Sequence, residues 1–187
     1  MIKEKYLLFV LFMGISQFAH AFDENRTGFI LGLGAGLHTI DIDSFNNGFQ
    51  LGSDSESGIA TSLKLGGGIT NQFALYYVRN ASWFSSDGSN TTFLVGISGL
   101  GASYYFSSSA PSGYILAAVG VGDIDAPFES NIEADTGNAT MIGGGYEVND
   151  HLHLEVTLLR TDIDSSDFSN LTLETSSIQF TFNYLWY

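Results

Sequence analysis

The tripeptide Asp-Ile-Asp occurs three times, at residues 41–43, 123–125 and 162–164. Asp41 and Asp43, Asp123 and Asp125, and Asp162 and Asp164 therefore stand two residues apart, on one side of any extended segment. Carboxylate oxygens are what hard cations such as Ca²⁺ and Mg²⁺ prefer, so weak divalent binding is the chemistry these pairs would support. The first copy does not continue as an EF-hand loop, because Phe45 stands where a third ligand is needed. The competing reading is of solvated acids that cap strand ends.

A second set of groups is spread wider: His38, Lys64, His153 and Glu155, with Glu147 close in sequence to the last two. Their neighbours decide what they can do. Leu152, Leu154, Val156 and Leu158 alternate with His153, Glu155, Thr157 and Leu159, the period of a strand with one oily face. Over residues 28–40, read as a first strand, Phe29, Leu31, Leu33, Ala35 and Leu37 oppose Gly32, Gly34, Gly36 and His38, and over 58–69, a second, Lys64 shares the face of Ala60 and Ser62. The ionisable groups thus fall on the side of the small residues. If that side is enclosed they must pair or touch water, and Lys64 with Glu155 is the expected ion pair. The alternative is a gate whose opening conducts small ions.

The element that positions them is a hairpin. Gly143, Gly144 and Gly145 lead through Tyr146 and Val148 to a polar corner at Asn149 and Asp150, and the alternating run to Asp162 follows. The unit recurs earlier, from Gly66 through a corner at residues 70–72 to Tyr77. Marking strands by alternation and turns by polar residues gives eight strands, with connections at 41–57, 85–90, 122–137 and 162–170 on one side. Shorter corners at 70–72, 107–112 and 148–150 lie on the other. Two irregularities are expected. Arg79 shares the parity of Phe73, Leu75 and Tyr77, which demands either a snorkelling side chain or a bulge. In strand four Phe93, Val95 and Ile97 read as outward, with a glycine bulge at Gly99 switching the phase to Leu100, Ala102 and Tyr104.

Composition narrows the class. Lys3 and Lys5, the apolar run from Tyr6 to Ile15, and Ala19-His20-Ala21 predict a cleaved signal peptide over residues 1–21, leaving residues 22–187 as one domain. That domain carries four basic groups against nineteen acids, a net of −15, which excludes a polyanion-binding surface and hence nucleic acid. Cysteine is absent, so no disulfide staples the exported chain. The 15 Phe and 9 Tyr beside 22 Gly suit strands that carry aromatic girdles. Large apolar residues on one face and glycines on the other describe an all-β, eight-stranded antiparallel up-and-down barrel in a membrane; a soluble carrier barrel would invert the two faces.

At the chain end Ile178, Phe180, Phe182, Tyr184 and Trp186 alternate without a break, followed by one more residue, Tyr187. This run resembles the C-terminal signal by which outer-membrane barrels are recognised for assembly, shifted by one position. With the 143–162 hairpin, it makes the chain similar to the OmpA-like transmembrane domain family. The resemblance implies the outer membrane of a Gram-negative bacterium. It implies contact with membrane lipid and lipopolysaccharide, delivery to the barrel assembly machinery through the last strand, and a monomer. The expected role is structural or surface interaction through acidic extracellular loops, without cofactor. A small ion channel with a lumenal charge gate is the second reading, and a lipid A-modifying enzyme the third. The serine that a deacylase needs two residues after its histidine is not there: His151 and His153 are followed at that spacing by His153 and Glu155.

Overall fold

The computed structural model describes residues 26–85, 91–129, 134–164 and 171–187; the signal-peptide reading falls on residues outside these. Eight strands run in chain order: β1 (Gly28–Asn46), β2 (Phe49–Thr70), β3 (Phe73–Ser85), β4 (Thr92–Tyr105), β5 (Ser112–Asp125), β6 (Asp135–Glu147), β7 (Leu152–Asp164) and β8 (Leu171–Trp186). Each pairs antiparallel with the next, and β8 pairs with β1, so the sheet closes on itself. Closure matters energetically, because each unpaired backbone amide facing hydrocarbon costs several kcal/mol.

The stagger follows from the ladder. Beginning at Gly32, paired residues lead through Lys64, Val78, Gly99, Gly120, Ala139, Thr161 and Thr175 back to β1 at Ile42, ten residues further on. At about 3.3 Å per residue and 4.8 Å between strands, that shear tilts the strands by about 40°. A barrel this narrow has room inside only for packed side chains. The glycines of β1 meet this limit: a Cβ at Gly36 would lie 1.8 Å from the Phe180 carbonyl oxygen.

Side chains divide by parity. Leu33, Leu37, Ile59, Leu100, Val119, Ile142, Ile178 and Phe182 are exposed on the outer wall, whereas His38, Lys64, Asn80, Glu147, His153, Glu155 and Gln179 are buried inside. An oily outside around a polar inside is the arrangement for a bilayer.

Three expectations need correction. The polar stretch 41–57 is not a loop: β1 continues to Asn46 and β2 starts at Phe49, joined by Asn47 and Gly48, both with positive φ (50° and 79°). An Asn-Gly pair suits a two-residue hairpin turn because both residues tolerate that backbone conformation. The 122–137 loop shrinks likewise, since β5 reaches Asp125 and β6 begins at Asp135. Strand four has no bulge at Gly99: β4 keeps register with both neighbours. Phe93 and Val95 point inward onto Ile40, Ile42, Phe84 and Ile124, and Ile97 is fully buried in the main core. Apolar residues line the lumen at its outer end, so parity read from hydrophobicity alone fails there. Arg79 needs no bulge either, because β3 is regular through it.

Candidate functional site: a plugged lumen and an acidic outer rim

Inside the barrel the base is closed by charge. Arg26, just ahead of β1, pairs with Glu147 at the end of β6 through both nitrogens of its guanidinium edge, Nε at 3.0 Å. Its Nη1 also donates to the Ser107 carbonyl at 2.8 Å, and its guanidinium lies 4.3 Å from the Tyr105 ring centre. Tyr187 turns inward after β8; its hydroxyl lies 2.9 Å from His153 Nε2 and donates to Glu147 Oε1 at 3.4 Å. Burial pushes the Tyr187 phenol above its ordinary value, so it stays a neutral donor.

One level up, Lys64 on β2 reaches across the lumen to Glu155 on β7, an ion pair with side chains 3% and 0% exposed. Tyr114 donates to the same carboxylate at 3.0 Å, and the Lys64 ammonium lies 5.4 Å from the Tyr76 ring centre. Tyr105 and Tyr114 pack on each other at 4.9 Å. Above them Gln179 accepts from Asn80 at 3.1 Å and donates to Ser82 at 3.0 Å, and Ser82 meets Ser177 at 2.8 Å. Ionic, aromatic and amide layers therefore fill the cross-section in turn.

The structure brings Lys64, His153 and Glu155 into this lower half and leaves His38 apart. His38 sits near the outer end, where its Nε2 lies 3.0 Å from the Trp83 carbonyl oxygen. Sequence reasoning missed Arg26 and Tyr187. Nothing local marks Arg26, whose carboxylate partner lies 121 positions away. Tyr187 had a signal, since the outward row ends on Trp186 and the next residue must face inward.

On the outside, Asp41, Asp43, Asp123, Asp125, Asp162 and Asp164 all follow the outward parity, at the end of the strands opposite the Arg26–Glu147 base. Glu174 stands between Asp43 and Asp162 in one row of the ladder. Asp123 is engaged by Arg79, Asp43 accepts from Gln50 at 2.9 Å, and Asp164 accepts from Thr172 at 2.9 Å. Among the described residues no group of three or more acids or histidines gathers closely enough to hold a metal ion.

Ile178, Phe180, Phe182, Tyr184 and Trp186 form the outward row of β8, with β1 on one side and β7 on the other. Phe180 and Phe182 meet edge to face at 5.2 Å, and Tyr184 and Trp186 lie 4.6 Å apart. The last pair sits level with the ionic base, where amphipathic rings favour a membrane interface.

A closed, lipid-faced barrel with a packed polar interior defines a transmembrane β-barrel. The family model described as "Outer membrane protein beta-barrel domain" matches residues 6–185, and the chain belongs to that family. It is accordingly a protein of the Gram-negative outer membrane. Among solved structures, Neisserial surface protein A superposes with a TM-score of 0.52 at 13% identity, over 81% of this chain and 96% of that one. OprG from Pseudomonas aeruginosa gives 0.48 at 14% identity, over 88% and 99%. Ail, the attachment invasion locus protein of Yersinia pestis, gives 0.46 at 11%, over 82% and 98%. No curated protein matches the chain.

Proposed function

We propose that the protein is a structural and surface-interaction component of the outer membrane that works through its acidic outer rim rather than through its lumen. One contrast carries this reading. The buried charges are matched inside, Lys64 to Glu155 and Arg26 to Glu147, whereas the outward rim is acidic, with Arg79 paired to Asp123 and Arg160 sharing a groove with Asp43, Asp162 and Glu174. A lumen filled with paired charges and packed tyrosines leaves little to conduct or to transform. An acidic collar on a preformed rim attracts cationic partners at a distance.

The experiment is adhesion of the full-length protein in nanodiscs to a polylysine-coated sensor. Changing Asp41, Asp43, Asp162 and Asp164 to Asn should weaken adhesion roughly tenfold or more at low salt, with the effect fading as the Debye length shrinks. Equal adhesion of the two proteins would overturn the reading. Lipid extracts of cells with and without the protein should give the same lipid A masses; a new acylation state would favour an enzyme instead.

A further inference from the structure

The wall of the barrel is not level at its outer end. β1 stays paired with β8 up to Asn46, which faces Leu171, and with β2 throughout the hairpin. On its other side β2 meets β3 only from Ile59, opposite Trp83, downward. Among the described residues, Phe49 to Ser57 therefore have a neighbour on one side and none on the other. They are exposed along this length, with only Glu56 part-covered. Every second residue of such a strand turns its N–H and C=O to the open side, which is the template for adding a further strand.

Among the described residues, this edge is paired along one side and uncovered along the other. The ladder with β1 holds it from Ser57 opposite Thr39 up to Ser53 opposite Asp43. On the outer face the Thr39 and Ser57 hydroxyls meet at 3.2 Å, and Gln50 donates to Asp43 at 2.9 Å. Proline and lysine, the residues that usually blunt an edge, are absent from 49–57. The register slips once, near the tip, where Leu51 has no opposite number. Below it Gly52 to Ser57 is regular, with Asp54 and Glu56 on the lumen-side face and Ser53, Ser55 and Ser57 on the other.

We infer that the open edge of β2 over Gly52–Ser57 captures an extended segment of an extracellular polypeptide by strand addition, and that the segment carries Lys or Arg at alternate positions. The inference rests on the surface-interaction reading and gives it a binding mode. Charge selects the occupant. Basic side chains two residues apart fall opposite Asp54 and Glu56, and small hydroxyl residues between them fall on the serine face. A second copy of this chain would set its own Asp54 and Glu56 among like charges, which opposes self-pairing.

The test uses the full chain in zwitterionic nanodiscs and a fluorescent peptide of alternating Thr and Lys. Two controls carry N-methyl groups on alternate residues, one in each phase, and a third has the same composition in blocks. Expected are slowed amide exchange confined to residues 52–57, binding weakened roughly tenfold or more by N-methylation in one phase, and a similar loss in Asp54→Asn/Glu56→Gln. Ser55→Pro should weaken binding while the barrel keeps its gel shift. Equal binding of all peptides, with the acids still required, would overturn strand addition and leave the rim-charge reading standing. Failure of every peptide to bind would overturn the inference, while the polylysine experiment judges the broader reading separately. Peptide-independent pairing of two barrels through residues 52–57 would also overturn it, in favour of a second copy.

Discussion

Arg79 on β3 reaches over Gly96 of β4 to form a two-nitrogen ion pair with Asp123 of β5, with Nη2 donating at 2.7 Å. All three residues lie on the outer wall, and a Cβ at Gly96 would come within 2.7 Å of the Arg79 Nη1. The absent side chain at 96 is what lets the guanidinium lie flat against the sheet. A charge pointing at lipid is thus carried to the rim and neutralised there.

Asp123→Ala should therefore destabilise the barrel by about 1–2 kcal/mol, a figure reduced for the partial exposure of both side chains (26% and 19%). Adding Arg79→Leu should restore most of the loss, since the stranded cation disappears with its partner. Urea unfolding in lipid vesicles, followed by Trp fluorescence, reads both. A double variant no more stable than Asp123→Ala would show that the pair is not what places Arg79.

Lys64→Met leaves Glu155 fully buried with Tyr114 as its remaining donor. Removing one partner of a buried pair costs roughly 3–5 kcal/mol, whereas replacing both by apolar residues is often near neutral. Lys64→Met/Glu155→Leu should accordingly fall between the wild type and the single variant. If the single substitution is silent, the ion pair does not hold the lumen together.

The glycines make a sharper contrast. Gly36→Ala places a methyl group 1.8 Å from backbone, while the Cβ of Gly52→Ala meets nothing within 4 Å. We expect at least about 2 kcal/mol lost at residue 36 and a change within about 0.5 kcal/mol at residue 52. Heat-modifiable gel migration at graded temperatures gives the ranking, and similar midpoints for the two would contradict the packing described here.

Planar bilayers should show no resolved conductance steps for the native protein, because Tyr76, Tyr105 and Tyr114 stand beside the ion pair in the lumen. Lys64→Ala should stay silent for the same reason. Regular steps from that variant alone would revive the gate.

Trp186→Ala and Tyr187→Ala should separate two roles that adjacent positions fill. The first removes the outward ring at the membrane interface and should slow insertion, measured as accumulation of unfolded chain in cells. The second removes a partner of Glu147 and His153. It should leave insertion intact and lower equilibrium stability by about 1–3 kcal/mol. Identical phenotypes would merge the two roles.

Much of this architecture was legible because lipid imposes a strict period. From Leu152 to Leu158 and from Ile178 to Trp186 every outward position is apolar, and the eight strands follow from such runs. The reading failed where the interior is apolar too. Val95 and Ile97 are greasy, yet they face Ile40, Phe84 and the main core, so hydrophobicity no longer reports direction. It failed again at residues 41–57, where serine and aspartate reach above the membrane and no apolar face marks a strand. The Asn47-Gly48 pair was the available clue. The Lys64–Glu155 contact could be guessed from parity, but Arg26 with Glu147 could not, because only closure of the sheet brings them together.

The floor of the barrel has a consequence for biogenesis. Arg26 precedes β1 and Tyr187 follows β8, and both reach Glu147. The cation reaches that carboxylate only across the lumen, once the sheet has curled, whereas the phenol reaches it along the β6–β7–β8 ladder. Closing the sheet therefore also completes the charge balance of the barrel floor, because β1 and β6 are not neighbours and meet only through its interior.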